Sequence, residues 1–195
     1  MSEASKDLGP TEKITKFDAA RRQLHTAIRL FFECRDLVSV LTLSRASHDI
    51  LRTLLISKGG GSFIKDSEYI EPNSREEISK ILNHPSNFFK HADRDPGDVL
   101  TFYHMICPIL LMDCCMMYQK FVGKFSRECA VFSMWNVVHY PHFLSPESEK
   151  LIRGLLDSGM VSKTVISKEF CLQAIEKPAL LKLPNIGAYE DELSN

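Results

Sequence analysis

The sequence lacks most of the motifs that announce a chemistry. No GxGxxG, GxxxxGK(S/T), GxSxG or HExxH pattern occurs, so phosphate loops, hydrolase elbows and zinc-protease helices have no support. Its six cysteines (34, 107, 114, 115, 129 and 171) show no CxxC and no CxxC/HxxxH pairing. They read as reduced thiols in a cytoplasmic core, a structural zinc site being the alternative. Cys114 and Cys115 are adjacent on one predicted helix, too constrained for an easy mutual disulfide. Net charge is also missing: 24 Lys and Arg face 25 Asp and Glu, a balance of −1, which gives no global pull toward nucleic acid or membrane. The start, MSEASKDLGPTEK, has no basic segment leading into an apolar run, as a secretory signal would. The most apolar stretch, Met105 to Met117, contains Pro108 and Asp113 and falls well short of the roughly 20 residues of a membrane span. A buried helix and a cytoplasmic location are the expectations. There is no internal repeat, no low-complexity segment and no alternating strand pattern beyond the short VSKTVIS.

What the sequence does contain is helical periodicity. In a chain of 195 residues, 44% hydrophobic, this points to one sizeable core. Ile14, Phe17, Ala20, Leu24, Ile28 and Phe31 recur at three and four, with Arg21, Arg22, His25 and Arg29 opposite. Asp36 can cap a second helix that runs to Gly59-Gly60-Gly61. Residues 62–73 read as a loop whose Phe63, Tyr69 and Ile70 pack on the core. Ser74 caps a third helix interrupted by Pro85, which either kinks it or breaks it, and Asp95-Pro96 ends it. A helix apolar almost all round starts near Cys107-Pro108 and stops at Gly123. Another spans Arg127 to His139, SPESEK at 145–150 opens the next, and Ser167 to Lys177 suits a short last one. The expected fold class is all-α: a single-domain helical bundle of six or seven helices over 13–183, with residues 1–12 a disordered leader and 184–195 an acidic tail.

Residues 84–96, HPSNFFKHADRDP, are the most crowded stretch. On a helix through 86–94, Asn87, His91 and Arg94 share one face with Lys90 at its border, while Phe88 and Phe89 point to the core. An amide, an imidazole and cations together suit a phosphate, with the histidine moving a proton and the cations stabilising an oxyanion. The ordinary alternative is a solvated polar helix end.

Within that stretch SNFFKH, Ser86 to His91, resembles the signature of the HEPN superfamily: an arginine, a polar residue, then a histidine four to six positions on. Asn87 and His91 match; serine stands at 86, where the arginine belongs. AARRQLHTAIRLFF, DLVSVLTLSRASHDIL and NFFKHADRDP together also resemble small all-helical bacterial proteins, so the resemblance covers 14–122, with 123–183 a helical extension. It implies an antiparallel helical bundle, often dimeric, and in many members a metal-independent ribonuclease of a toxin–antitoxin or defence system. Serine cannot supply the missing guanidinium. The expected function is therefore a non-catalytic or degenerate HEPN-like module binding a partner protein or nucleic acid, through Asn87, His91, Arg94, Arg22 and Arg29. The alternative is an endoribonuclease with His91 as acid/base and Lys90 or Arg94 as the replacement cation.

Three further expectations follow. No metal, cofactor or membrane contact is expected; His91, Asp93 and Asp95 are poorly spaced for a metal and flanked by cations. Asp113, inside the most apolar helix, needs either a structural partner such as a histidine or arginine, or a place beside His91 as an orienting acid. A homodimer is expected, because the resemblance implies one and because one helix cannot turn both members of Phe31-Phe32 or Phe88-Phe89 to a single core face.

Overall fold

The computed structural model describes residues 10–91, 93, 96–159, 162–177 and 180. Among them are eight α-helices: α1 (Lys16–Phe32), α2 (Leu37–Ile56), α3 (Phe63–Asp66), α4 (Pro72–Phe88), α5 (Ile106–Val122), α6 (Arg127–His139), α7 (Pro146–Asp157) and α8 (Lys168–Glu176). The fold is a single all-α domain. No strand occurs among the described residues, and the part of VSKTVIS they include forms a turn. The 1–12 leader is described only from Pro10, and the 184–195 tail lies outside the described residues.

Local chemistry fixes most helix ends. Thr15 and Asp18 form a reciprocal capping box at the start of α1. Asp36 accepts from the N–H groups of Val38 and Ser39 to start α2, and Ser126, Ser145 and Ser167 do the same for α6, α7 and α8. Gly123, with φ 87°, closes α5 in the left-handed conformation that glycine adopts without strain. Two ends differ from the sequence reading. α4 starts at Pro72, with Glu71 rather than Ser74 at the N-cap position and no side-chain cap, because Pro72 already has the φ that a first helical residue needs. Pro85 neither breaks nor restarts α4; it lies in the last turn, so the helix passes it and stops at Phe88.

Four helices make the frame. α1 and α2 form a hairpin, closed midway where the Ser47 hydroxyl donates to the Ala20 carbonyl (2.8 Å). α5 runs parallel to α2: the Cys107 thiol reaches the Leu37 carbonyl and the Cys114 thiol reaches the Ser44 carbonyl, the same offset twice. α6 folds back beside α1, and α8 packs on α6, with Arg127 donating to the Ile175 carbonyl at one end and His139 beside the Ile166 carbonyl at the other. The most apolar helix, α5, is central, with ten buried residues.

Phe31 and Phe32 are both buried, 4% and 3% exposed, in an aromatic cluster with Phe132 and Trp135. α1 is flanked by helices on more than one side, so adjacent aromatics both find cover inside one chain, and this pair gives no reason to invoke a dimer. Phe63 and Tyr69 do not pack on the core; they are 53% and 93% exposed, and Ile70 is half-buried. The short α3 turns only Ile64 inward, which leaves its neighbours outside.

Candidate functional site

Helix α4 covers only the first part of the stretch proposed at 84–96. α4 ends at Phe88, and the N–H groups of Lys90 and His91 both turn back to the Asn87 carbonyl (3.1 Å each). Asn87 and Lys90 are exposed, His91 is half-buried, and Arg94 lies outside the described residues. The bond from His91 N–H to the Asn87 carbonyl spans four residues, so those two residues stay one helical turn apart although α4 itself has ended. Phe88 and Phe89 do anchor the turn, but as half-buried rings, Phe89 meeting Phe102 edge-on at 5.5 Å.

The α1 cations are committed to carboxylates. Arg22 forks onto Glu12, Arg21 lies 3.6 Å from Asp18, and Arg29 donates to Glu128 at 2.7 Å. A stripe of arginines already paired this way presents little free positive charge to a phosphate backbone.

Asp113 finds its histidine in α2 rather than in the crowded stretch. His48 Nε2 lies 2.8 Å from Oδ2, the Ser62 hydroxyl donates to the same oxygen (2.5 Å), and the Phe63 N–H donates to Oδ1 (2.8 Å). All three side chains are buried. An ionised carboxylate only accepts, so the shared proton belongs on Nε2. His48 Nδ1 is 3.8 Å from Asp49, beyond hydrogen-bonding distance. The residue types are those of a hydrolase triad, but the connectivity is not. The serine donates to the acid instead of to the imidazole, so nothing activates its oxygen.

The turn leading into this centre is Gly59-Gly60-Gly61-Ser62, a glycine run opening a helix. Such turns can cradle anions, but here the chain's own carboxylates occupy the N–H groups. Phe63 N–H goes to Asp113, and Ser62 N–H goes to Asp66 (2.9 Å), which Arg52 holds through two nitrogens. Gly61 is required because a Cβ there would come within 2.7 Å of the Asp66 Cβ. The Arg52 guanidinium, hydrogen-bonded to Asp66, holds that carboxyl below its usual range. This centre joins α2, α3 and α5 and is architectural. His48 and Ser62 escaped the sequence reading, although the histidine's position on the apolar stripe of α2, four residues after Ser44 and three before Leu51, was a usable signal.

A concavity lies at the other end of α2. A groove of about 420 Å³ is lined by Cys34, Arg35, Leu37, Phe102, His104 and Lys168. α1 ends there in a Schellman turn, with Cys34 N–H bonded to Phe31 and Arg35 N–H to Leu30. Cys34 takes the position usually held by glycine, at φ 54°, which holds its thiol out at the surface. The Lys168 ammonium donates to the Phe31 carbonyl (2.9 Å) and lies over the Phe31 ring. Val38, partly exposed, lines it as well, and exposed Tyr103 and Met105 neighbour lining residues in sequence. Nothing in the sequence had singled out this groove, because its residues come from three distant segments.

A third cluster lies where α1, α5 and α6 meet. Glu128 accepts from Arg29 and lies 3.7 Å from His25 Nδ1, and Cys115 and Cys129 are fully buried beside them. Among the described residues there is no group of three or more His, Cys, Asp or Glu able to hold a metal ion, and no helix long and apolar enough to cross a membrane. Compared with protein-family models, curated proteins and solved structures, the chain matches none.

Proposed function

We propose that the protein is a non-catalytic helical module that binds a partner protein in the groove between the α1–α2 turn and the 98–105 segment. The observation that carries this reading is the groove itself. It is lined by apolar Leu37, Val38 and Phe102 and by two cations, Lys168 and Arg35, the latter 3.5 Å from the Glu33 carboxylate, and the exposed Tyr103 (68%) and Met105 (37%) neighbour its residues in sequence. Its one carboxylate, Asp36, is turned onto the N–H groups of Val38 and Ser39. A segment that pairs apolar anchors with acidic residues complements that surface. Nucleic acid is the weaker partner, since the α1 arginines are already paired with acids. The HEPN-like resemblance fits the same reading: members without the motif arginine are expected to bind rather than cleave.

The test is selection of random displayed peptides on the purified chain. Enrichment of sequences that combine apolar and acidic residues is expected, with binding weakened at least about tenfold by Tyr103→Ser or Val38→Ser, both solvent-exposed changes. Absence of enrichment, or binding indifferent to both substitutions, overturns the reading. So does cleavage of mixed RNA without added metal that disappears in a folded His91→Ala variant.

A further inference from the structure

The last helix starts at the wall of the groove. The Lys168 ammonium, in the first residue of α8, donates to the Phe31 carbonyl and lies over the Phe31 ring. α8 then runs antiparallel to α6, with the Ile166 carbonyl beside His139 and the Ile175 carbonyl accepting from Arg127. A turn follows, in which the Leu180 N–H bonds to the Lys177 carbonyl. The remaining fifteen residues, LKLPNIGAYEDELSN at 181–195, lie outside the described residues.

Their sequence has the composition that the groove complements. Glu190, Asp191 and Glu192 are three successive acids, flanked by Tyr189 and Leu193 and preceded by Ile186, and no lysine or arginine follows Lys182. The groove offers Leu37, Val38 and Phe102 as apolar lining and Arg35 and Lys168 as cations. Arg35 has a carboxylate nearby, Glu33 at 3.5 Å, but that pair is exposed and contributes little, so an incoming cluster of acids can replace it. Asp36, the one carboxylate of the lining, is engaged with the Val38 and Ser39 N–H groups.

The chain is long enough to return. Eight residues of helix carry it about 12 Å from Lys168 to Glu176, and the four residues to Leu180 span at most about 14 Å. Residues 181–190 extend to about 33 Å, which brings the acids back to Lys168 with length to spare. A tether this short holds its end at a local concentration of the order of millimolar, enough for a weak contact to close the groove.

We propose that residues 184–195 occupy the groove of their own chain, Glu190, Asp191 and Glu192 meeting Arg35 and Lys168 while Tyr189 and Leu193 cover Leu37, Val38 and Phe102. A partner segment then binds by displacing this tail. The proposal rests on the reading of the groove as a docking site for segments that combine apolar and acidic residues.

The groove carries its own reporter. Cys34 lines it and is exposed, whereas the other five cysteines are buried. In the full chain, alkylation of Cys34 by uncharged N-ethylmaleimide should run at least about fivefold faster in the triple variant Glu190→Gln, Asp191→Asn, Glu192→Gln than in the parent. About 1 M salt should speed the parent and leave the variant unchanged. With Tyr189 replaced by photoreactive benzoylphenylalanine, irradiation should cross-link it within one chain to residues 34–38 or 102–105. Equal alkylation rates, cross-links to other regions, or cross-links only between chains overturn the proposal. Displayed peptides separate it from the reading on which it rests. Cross-links into the groove, with no peptide bound by parent or triple variant, support the tail contact and remove the partner. Peptides that bind parent and triple variant equally well, with no cross-link into the groove, keep the partner and overturn the tail contact.

Discussion

Asp113 and the stretch 84–96 make opposite impressions in sequence and in structure. The stretch packs two histidines, a lysine, an arginine and two aspartates into thirteen positions, and Asp113 is a lone carboxylate in an apolar run. Folded, the lone carboxylate is the better connected. It takes bonds from α2, from the glycine turn and from the start of α3. The Asn87, Lys90 and His91 of the crowded stretch sit around a helix end, exposed or half-buried, where the bonds that shape the turn come from their backbone and not from their side chains. Density of polar residues along a chain measures how cheaply they are solvated. Isolation of a polar residue among apolar ones measures how strongly the fold must satisfy it.

The sharpest way to break the comparison is to remove the carboxylate. Asp113→Ala leaves His48, the Ser62 hydroxyl and the Phe63 N–H without their acceptor in a buried place, and should cost about 3–5 kcal/mol. Asp113→Asn keeps the shape and an acceptor oxygen and should cost less. Urea melts of the two variants measure the difference. A loss under about 1 kcal/mol for the alanine variant would mean that water or a shifted side chain replaces the carboxylate, and that the centre does not hold α2, α3 and α5 together.

Much of the fold was legible because it rests on local signals. Asp36, Gly123, Ser145 and Pro146 act where their chemistry places them, and α6 spans Arg127–His139 as its periodicity indicates. The errors arose where local signals competed or where partners were distant. Ser74 and Pro72 both suit a helix start, and the proline won. Phe31-Phe32 looked like one ring too many for a single helix, until α6 supplied Phe132 and Trp135. The site was less legible than the fold. The need of Asp113 for a partner could be read, but which histidine answered depended on the parallel register of α2 and α5.

Cys129, wholly buried in the first turn of α6, sharpens the comparison in a second way, through pH. Burial raises the Cys129 thiol, but the polar groups around it lower it further, from an ordinary 9.0 to about 6 in the folded chain. Between those values the unfolded chain binds the extra proton, so stability rises with pH, and the contribution is lost as pH falls through about 6. Above pH 9 the sign reverses. Cys107, Cys114, Cys115 and Cys171 have raised values, so the unfolded chain ionises first and stability declines. Melting temperature should therefore climb from pH 6 to 9 and fall beyond. Cys129→Ser should flatten the climb whatever its effect on overall stability. A parent whose melting temperature is flat or falls over pH 6–9 would contradict a thiolate at this position.

The smallest expected effect belongs to the residue that looked most important. His91 is half-buried in a turn one residue beyond the α4 cap, and its backbone N–H, which any side chain would leave in place, makes the bond that fixes the turn. Asn87 is exposed, and its carbonyl rather than its amide receives that bond and the one from Lys90. Replacing either side chain by alanine removes nothing the fold is seen to rest on, so each should shift stability by no more than about 0.5 kcal/mol. Alanine also suits the last turn of a helix at least as well as asparagine, which offsets part of any loss at 87. Urea melts run beside Asp113→Ala give the contrast directly: several kcal/mol for the one isolated carboxylate, a few tenths for the crowded histidine. A loss above about 2 kcal/mol in His91→Ala would reverse the lesson and make the imidazole a structural partner, placing architecture at both ends of the comparison.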